Sequence, residues 1–174
     1  MAKKISGGLL LYDDSKDEAC VLVAHPGGPF FQKRDEGWWS IPKGEPEVEE
    51  DIFAAAIREF EEETGMVPEG PFFNLGTIVQ KNGKKVFAWA FQGTWEAGRI
   101  PECNEITIDF PKGSGREWTF PEIDQAEMLP PDEAKRKLRR EQHPFVDRLM
   151  DVLNKSLTQS KDCDSLPLSQ ELTR

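Results

Sequence analysis

Apolar and polar residues change their rhythm several times along this chain, and each rhythm predicts an element. Residues 5–13 (ISGGLLLYD) and 19–25 (ACVLVAH) are short apolar runs, which predict two strands. PGGPF at 26–30 is a turn-rich loop. Residues 38–41 read as a short strand and 42–46 as a loop. Over residues 49–63 the period becomes helical: Phe53, Ile57 and Phe60 recur at i, i+4 and i+7, with Ile52 and Ala56 beside them. Acidic residues crowd the expected first turn, where the helix dipole favours them, and Gly65 follows as a C-terminal cap. Asn82-Gly83 marks a hairpin. Its second strand, residues 84–93 (KKVFAWAFQG), is apolar on both faces and is expected to lie inside a covered sheet. Residues 105–110 alternate like a further strand. Residues 132–140 and 144–155 read as helices, the second with the stripe Phe145, Leu149 and Val152. From Ser156 the chain is polar and loses its period, so a domain over residues 1–155 and a flexible tail over 156–174 are expected. Strands with one strong early helix and helices late imply an α/β domain, its sheet covered on both faces.

Composition narrows the function classes. A chain of 174 residues suits one soluble domain. It has no apolar run approaching ~18 residues, so no membrane span is expected. Nor does the beginning of the sequence carry the long apolar stretch of a secretory signal. Cys20, Cys103 and Cys163 are scattered, without disulfide or zinc spacing, and point to a reducing cytoplasm. The net charge of −10 argues against a nucleic-acid scaffold. It also means that an acidic site would repel a phosphate substrate unless divalent cations stood between them. No GxxxxGK[ST] loop is present, which argues against a P-loop NTPase.

The carboxylates are therefore informative where they cluster. Glu59, Glu62 and Glu63 stand at i, i+3 and i+4 and share one helical face, opposite the apolar one. Alone, such a trio is either a solvated acidic face or a site for a hard divalent ion, Mg²⁺ or Mn²⁺, which prefers oxygen ligands. The wider spacing separates the two. Gly44, Glu50, Arg58, Glu59, Phe60, Glu62, Glu63, Gly65 and Met66 fill every fixed place of a pattern that runs Gly, five residues, Glu, seven residues, Arg-Glu-apolar-any-Glu-Glu-any-Gly-apolar. With letter usages near ~7%, a chance match is on the order of 10⁻⁵ or rarer.

This stretch resembles the box of the Nudix hydrolases. The resemblance implies a Nudix-type α/β/α sandwich with a mixed β-sheet, the box forming its loop-helix-loop. It implies that Glu59, Glu62 and Glu63 bind catalytic divalent metals, with the carbonyl of Gly44 as a further ligand. Arg58 would orient the acids and Glu50 would support them. The implied reaction is hydrolysis of a phosphoanhydride bond in a nucleoside diphosphate linked to another moiety. Divalent ions would neutralise the phosphate oxygens and activate the attacking water. A catalytically silent nucleotide-binding module is the alternative, but such proteins usually lose box carboxylates, and all of them stand here.

Outside the box, Nudix enzymes often recruit another acid from a downstream loop. Glu102, Glu105, Asp109, Glu117 and Glu122 are candidates; Glu122, in FPEIDQAEMLPPDEA, is favoured, with a plain surface glutamate as the alternative. Lys43, in SIPKGE, matches a Pro-Lys-Gly carried by members that handle long phosphate chains; otherwise it is a surface lysine. Together with HPGGPF at 25–30, this approach to the box resembles a bacterial Nudix group. His25 and His143 read as structural. Trp38, Trp39, Phe87 and Trp89 either stack a nucleobase or belong to the core, and Trp89 is the candidate substrate contact. Lys112 and Arg116, in PKGSGRE, are candidate phosphate contacts or part of a solvated loop. The small-molecule substrate expected is a dinucleoside polyphosphate such as diadenosine tetraphosphate. Members that cut ADP-ribose usually carry a proline downstream of the box, where this chain reads QKNGKKV, and Lys81, Lys84 and Lys85 add cations on that hairpin. The adenine-stacking tyrosine of many diadenosine-polyphosphate-cutting members is missing. Nucleoside triphosphates and sugar nucleotides, ADP-ribose among them, stay open as alternatives.

Overall fold

In the computed structural model, which describes residues 4–163, the strands are β1 (Ile5–Asp13), β2 (Cys20–Pro26), β3 (Lys43–Gly44), β4 (Phe72–Val79), β5 (Lys85–Gln92), β6 (Glu105–Asp109), β7 (Glu117–Pro121) and β8 (Ile123–Leu129). The helices are α1 (Ile52–Thr64), α2 (Pro131–Lys137) and α3 (His143–Cys163). The main sheet runs β4-β5-β1-β2-β8, with β3 also paired to β1. Among the described strands of this sheet β1 and β5 pair in parallel and the other pairs are antiparallel, so the sheet is mixed.

The pleat of β1 shows how the sheet acquires two covers. Successive side chains point to opposite faces. Leu10 and Tyr12 join a core with Val21, Val23, Val86 and Ala88, closed by Phe145, Val146 and Leu149 of α3. Leu9 and Leu11 join the other core with Leu22 and Phe91, closed by Ala56 and Phe60 of α1. Phe60 meets Phe91 edge-to-face at 5.0 Å between ring centroids, a geometry favoured by the ring quadrupoles. This is the expected α/β/α layering, and β5 lies inside the sheet as its two-faced apolarity implies.

Several boundaries differ from expectation. α1 starts at Ile52 because Asp51 caps it, accepting from the N–H groups of Phe53 at 2.9 Å and Ala54 at 3.2 Å. Glu49 has a positive φ of 63° and lies before the helix, so the acids expected in the first turn lie outside it. Gly65 is the left-handed cap, with φ 73°. Lys43 and Gly44, expected in a loop, pair with Gly8 and Gly7 of β1. Residues 38–41 make only isolated bridges, Ser40 to Ala24 and Trp39 to Leu138. β7 and β8 were not expected. β8 is an edge strand whose pairing with β2 shifts at His25/Pro26, and its burial does not alternate, so no period of two shows in IDQAEML. α2 stops at Lys137, since Leu138 is extended. α3 runs on to Cys163, so the boundary drawn at Ser156 falls inside a helix; residues 164–174 lie outside the described residues. Among the described residues, no helix is long and apolar enough to cross a membrane.

Candidate active site

The box helix presents its acids to three different surroundings. Glu63 is 7% exposed, and one of its carboxylate oxygens accepts from the backbone N–H of Lys43 at 3.0 Å. Burial pushes its carboxyl up to about 8. Glu59 is half-buried, and burial raises its carboxyl too, against the pull of Arg58. Glu62 lies at the rim with its side chain 42% exposed.

Arg58 organises this group. Its Nε and Nη2 donate to the two oxygens of Glu50 at 2.9 and 2.8 Å, and Nη2 also donates to the carbonyl of Glu45 at 3.1 Å. Nη1 donates to Glu59 at 3.0 Å and Glu62 at 3.1 Å. The guanidinium fork has five donors, and these bonds match them. Arg58 thus ties Glu50, Glu59 and Glu62 to one guanidinium, and its bidentate bond holds the Glu50 carboxyl down at about 2. A carboxyl lowered in this way stabilises the fold above its unfolded value of 4.5 and loses that contribution as pH falls through about 2. The gap in melting temperature between wild type and Glu50→Gln is therefore expected to be full near neutral pH and to close across that window. A gap that is independent of pH would overturn this.

Gly44 explains how β3 and α1 come so close. A Cβ at this position would overlap the Glu59 carboxyl group. Only glycine lets β3 lie against the helix and leaves the carboxylate beside it.

Glu59, Glu63 and Glu122 line a cavity of about 370 Å³ with Lys43, Lys84 and Arg139. Glu122 arrives from the turn between β7 and β8. Its N–H donates to Asn104 and its carbonyl accepts from Gly27, both at 2.9 Å. Gly27 and Gly28 are glycines because Pro121 and Phe120 pass where their Cβ atoms would be, so HPGGPF is the seat of the β6–β7 hairpin. His25 anchors the same loop, with Nδ1 at 2.6 Å from Asp124 and Nε2 at 2.7 Å from the Arg34 carbonyl. Both contacts suit the structural role expected of it.

The family model for the NUDIX domain matches residues 3–149. The chain belongs to the Nudix hydrolase family. No curated protein matches it. Among solved structures it is similar to the NUDIX domain of Shewanella oneidensis NrtR complexed with ADP ribose, with TM-score 0.61 and 15% identity, covering 88% of this chain and 90% of that one. It is also similar to a C. elegans Ap4A hydrolase binary complex, with TM-score 0.58, 15% identity and coverages of 86% and 98%. A MutT protein from Methanosarcina mazei Go1 follows with TM-score 0.52, 21% identity and coverages of 89% and 99%. At these identities the likeness is one of fold.

Nudix enzymes generally use divalent metal ions, and the donors of this Nudix site fit them. Its groups are hard oxygens, and Glu59 and Glu63 are carboxylates withdrawn from water beside Glu122, a like charge. That arrangement is costly without a cation. Among the described residues no three such side chains converge on one point: Glu59 and Glu62 turn to Arg58, and Glu63 to the Lys43 N–H.

Of the residues named outside the Nudix box, Lys43 lines the cavity, and burial lowers the pKa of its ammonium. Trp89 does not line it. Its ring lies 4.9 Å from Phe53, in the core under α1. Lys112 and Arg116 are exposed in the loop that joins β6 to β7 and do not line it either. Sequence reasoning missed Arg139. In KRKLRR it reads as one more charge on a helix; because α2 ends early, its N–H instead donates to the Trp39 carbonyl at 2.9 Å. Gln142 was also missed. Fully buried, it accepts from the Ile41 N–H and donates to Ser40 Oγ, both at 2.9 Å, clamping the segment that leads into Lys43. No local signal marks such a residue, since its partners lie about a hundred positions away.

Proposed function

We propose that this Nudix hydrolase uses Mg²⁺ or Mn²⁺ to cleave a phosphoanhydride bond within a long phosphate chain, that of a dinucleoside polyphosphate such as diadenosine tetraphosphate. The observation that carries this reading is the double charge character of one cavity: carboxylates of Glu59, Glu63 and Glu122 with the cations of Lys43, Lys84 and Arg139. Glu59, Glu62, Glu63 and the Gly44 carbonyl would hold the ions, which supply charge neutralisation and an activated water. Glu122 would serve as a further ligand or as general base. Lys43, its backbone tied to Glu63, would direct its ammonium at phosphate oxygens beyond the scissile bond. Lys84 donates to Glu45 at 2.9 Å and is held at the same rim. On a chain of net charge −10, local cations of this kind favour a ligand with several negative charges.

The test compares kcat/KM for diadenosine tetraphosphate, ADP-ribose and a nucleoside triphosphate, with product analysis. The tetraphosphate is expected to be preferred, and Lys43→Ala to lower its kcat/KM by ~10-fold or more, the scale of a lost charge-assisted contact. A preference for ADP-ribose, or tetraphosphate cleavage untouched by Lys43→Ala, would refute the substrate assignment. No metal-dependent cleavage of any of the three would refute the enzyme and favour the silent module.

A further inference from the structure

Next to the carboxylate cavity lies a second one of about 420 Å³, formed by the β4–β5 turn, Gly37 and the segment after α2. The two share Trp38 and Arg139 in their walls. The second cavity holds no cluster of acids. Lys81, Arg139 and Arg140 line it, and none of them forms an ion pair among the described residues, whereas Lys84, Lys135 and Lys137 all do. Its one carboxylate, Glu141, is held below its usual value, first by its own backbone N–H and the Lys81 backbone, then by the charges of Lys81 and Arg139.

The walls are fixed from outside. Gly37 N–H donates to the carbonyls of Arg136 at 3.0 Å and Lys137 at 2.9 Å. Lys137 Nζ and Trp39 Nε1 both donate to Asp35, at 2.6 and 2.8 Å. Trp38 is left partly exposed between the cavities, with the guanidinium of Arg34 4.7 Å and that of Arg139 5.6 Å from its ring centroid. A tryptophan face backed by guanidinium groups beside three unpaired cations suits an aromatic ligand that carries phosphate. A chain of net charge −10 gives no general attraction for such a ligand, so the attraction must be local.

We infer that this second cavity binds the distal phosphates of the chain whose proximal part lies at the Nudix carboxylates, with the terminal nucleoside on Trp38. The inference rests on the substrate reading above and extends it: Arg139 spans both cavities, and substrate length is sensed at Lys81 and Arg140. A ligand too short to leave the first cavity reaches neither Lys81 nor Arg140.

Binding is measured by calorimetry on the full chain with Mg²⁺ present, using inorganic tripolyphosphate and a methylene-bridged diadenosine tetraphosphate that cannot be cleaved. The double substitution Lys81→Ala/Arg140→Ala is expected to weaken both ligands ~10-fold or more, as loss of two charge-assisted contacts should. Arg140→Lys alone should retain most of the binding, since it keeps the charge. Trp38→Ala should weaken the dinucleotide and spare tripolyphosphate. Affinities unchanged in the double variant, or no binding by wild type, would overturn the inference. Equal weakening of both ligands by Trp38→Ala would overturn the stacking of a nucleoside. Binding lost in the double variant of a protein that cleaves no tetraphosphate would refute the substrate reading and leave the subsite standing. Tetraphosphate cleavage with binding indifferent to Lys81 and Arg140 would do the reverse.

Discussion

Glu63→Gln is expected to lower kcat by at least about 10²-fold, as loss of a catalytic metal ligand typically does, without unfolding the protein. Glu63 is almost wholly buried and accepts one hydrogen bond, from the Lys43 backbone. A glutamine amide oxygen can accept the same bond in the same space, so packing and the β3–α1 contact survive. What disappears is the charge. Because burial raises the folded carboxyl to about 8, the ionised side chain weighs against folding increasingly as pH rises from 4.5 through that value. In EDTA at pH 8 the variant should therefore melt no lower than wild type. Adding Mn²⁺ should raise the melting temperature of wild type, since an ion that binds only the folded state stabilises it by mass action, and should raise that of the variant much less. Thermal melts with and without Mn²⁺, beside steady-state rates, separate a ligand from a structural glutamate. Turnover near the wild-type rate, or a variant that melts far lower in EDTA, would remove Glu63 from the site.

Gly44→Ala is expected to cost a similar factor, at least about 10²-fold in kcat/KM, since a displacement of ~1 Å at a reacting centre can do this. The new methyl group would overlap the Glu59 carboxyl. Either Glu59 swings out of the cavity, or Lys43 and Gly44 leave their places opposite Gly8 and Gly7 on β1; both routes separate Glu59 from Glu63. If the first route operates, Gly44→Ala combined with Glu59→Ala should be no slower than Glu59→Ala alone, because the two changes remove the same contribution. Additive losses would point to the strand instead. Gly44→Ala with wild-type kinetics would show that the close approach is dispensable.

Much of this was legible in the chain because the cause was local. The apolar runs of β1 and β2, the helical period around Phe60, the Asp51–Gly65 limits of α1 and the Asn82-Gly83 turn arise from residues within a few positions of one another. The box is local too. One helix carries Arg58, Glu59, Glu62 and Glu63, so their common face follows from 3.6 residues per turn, and Gly44, Glu50, Gly65 and Met66 flank it closely in sequence.

Tertiary structure decided what depends on distance along the chain. Two glutamates of equal standing in the sequence part company: Glu63 turns under β3 and is buried, while Glu62 stays at the rim. Trp89, the expected substrate contact, is directed by β5 under α1, whereas the Asp35–Lys137 contact holds the neighbourhood of Trp38 against the cavities. Glu122 reaches the carboxylates only through the seat that Gly27 and Gly28 make for Phe120 and Pro121. Arg139 enters the site because Leu138 turns α2 into an extended segment paired with Trp39. β8 is a strand because β2 offers it a ladder, although its own residues show no period of two. In each case the deciding partner lies far off in sequence, so that neither periodicity nor spacing carries its trace; hydrogen bonding and burial between distant segments set the outcome.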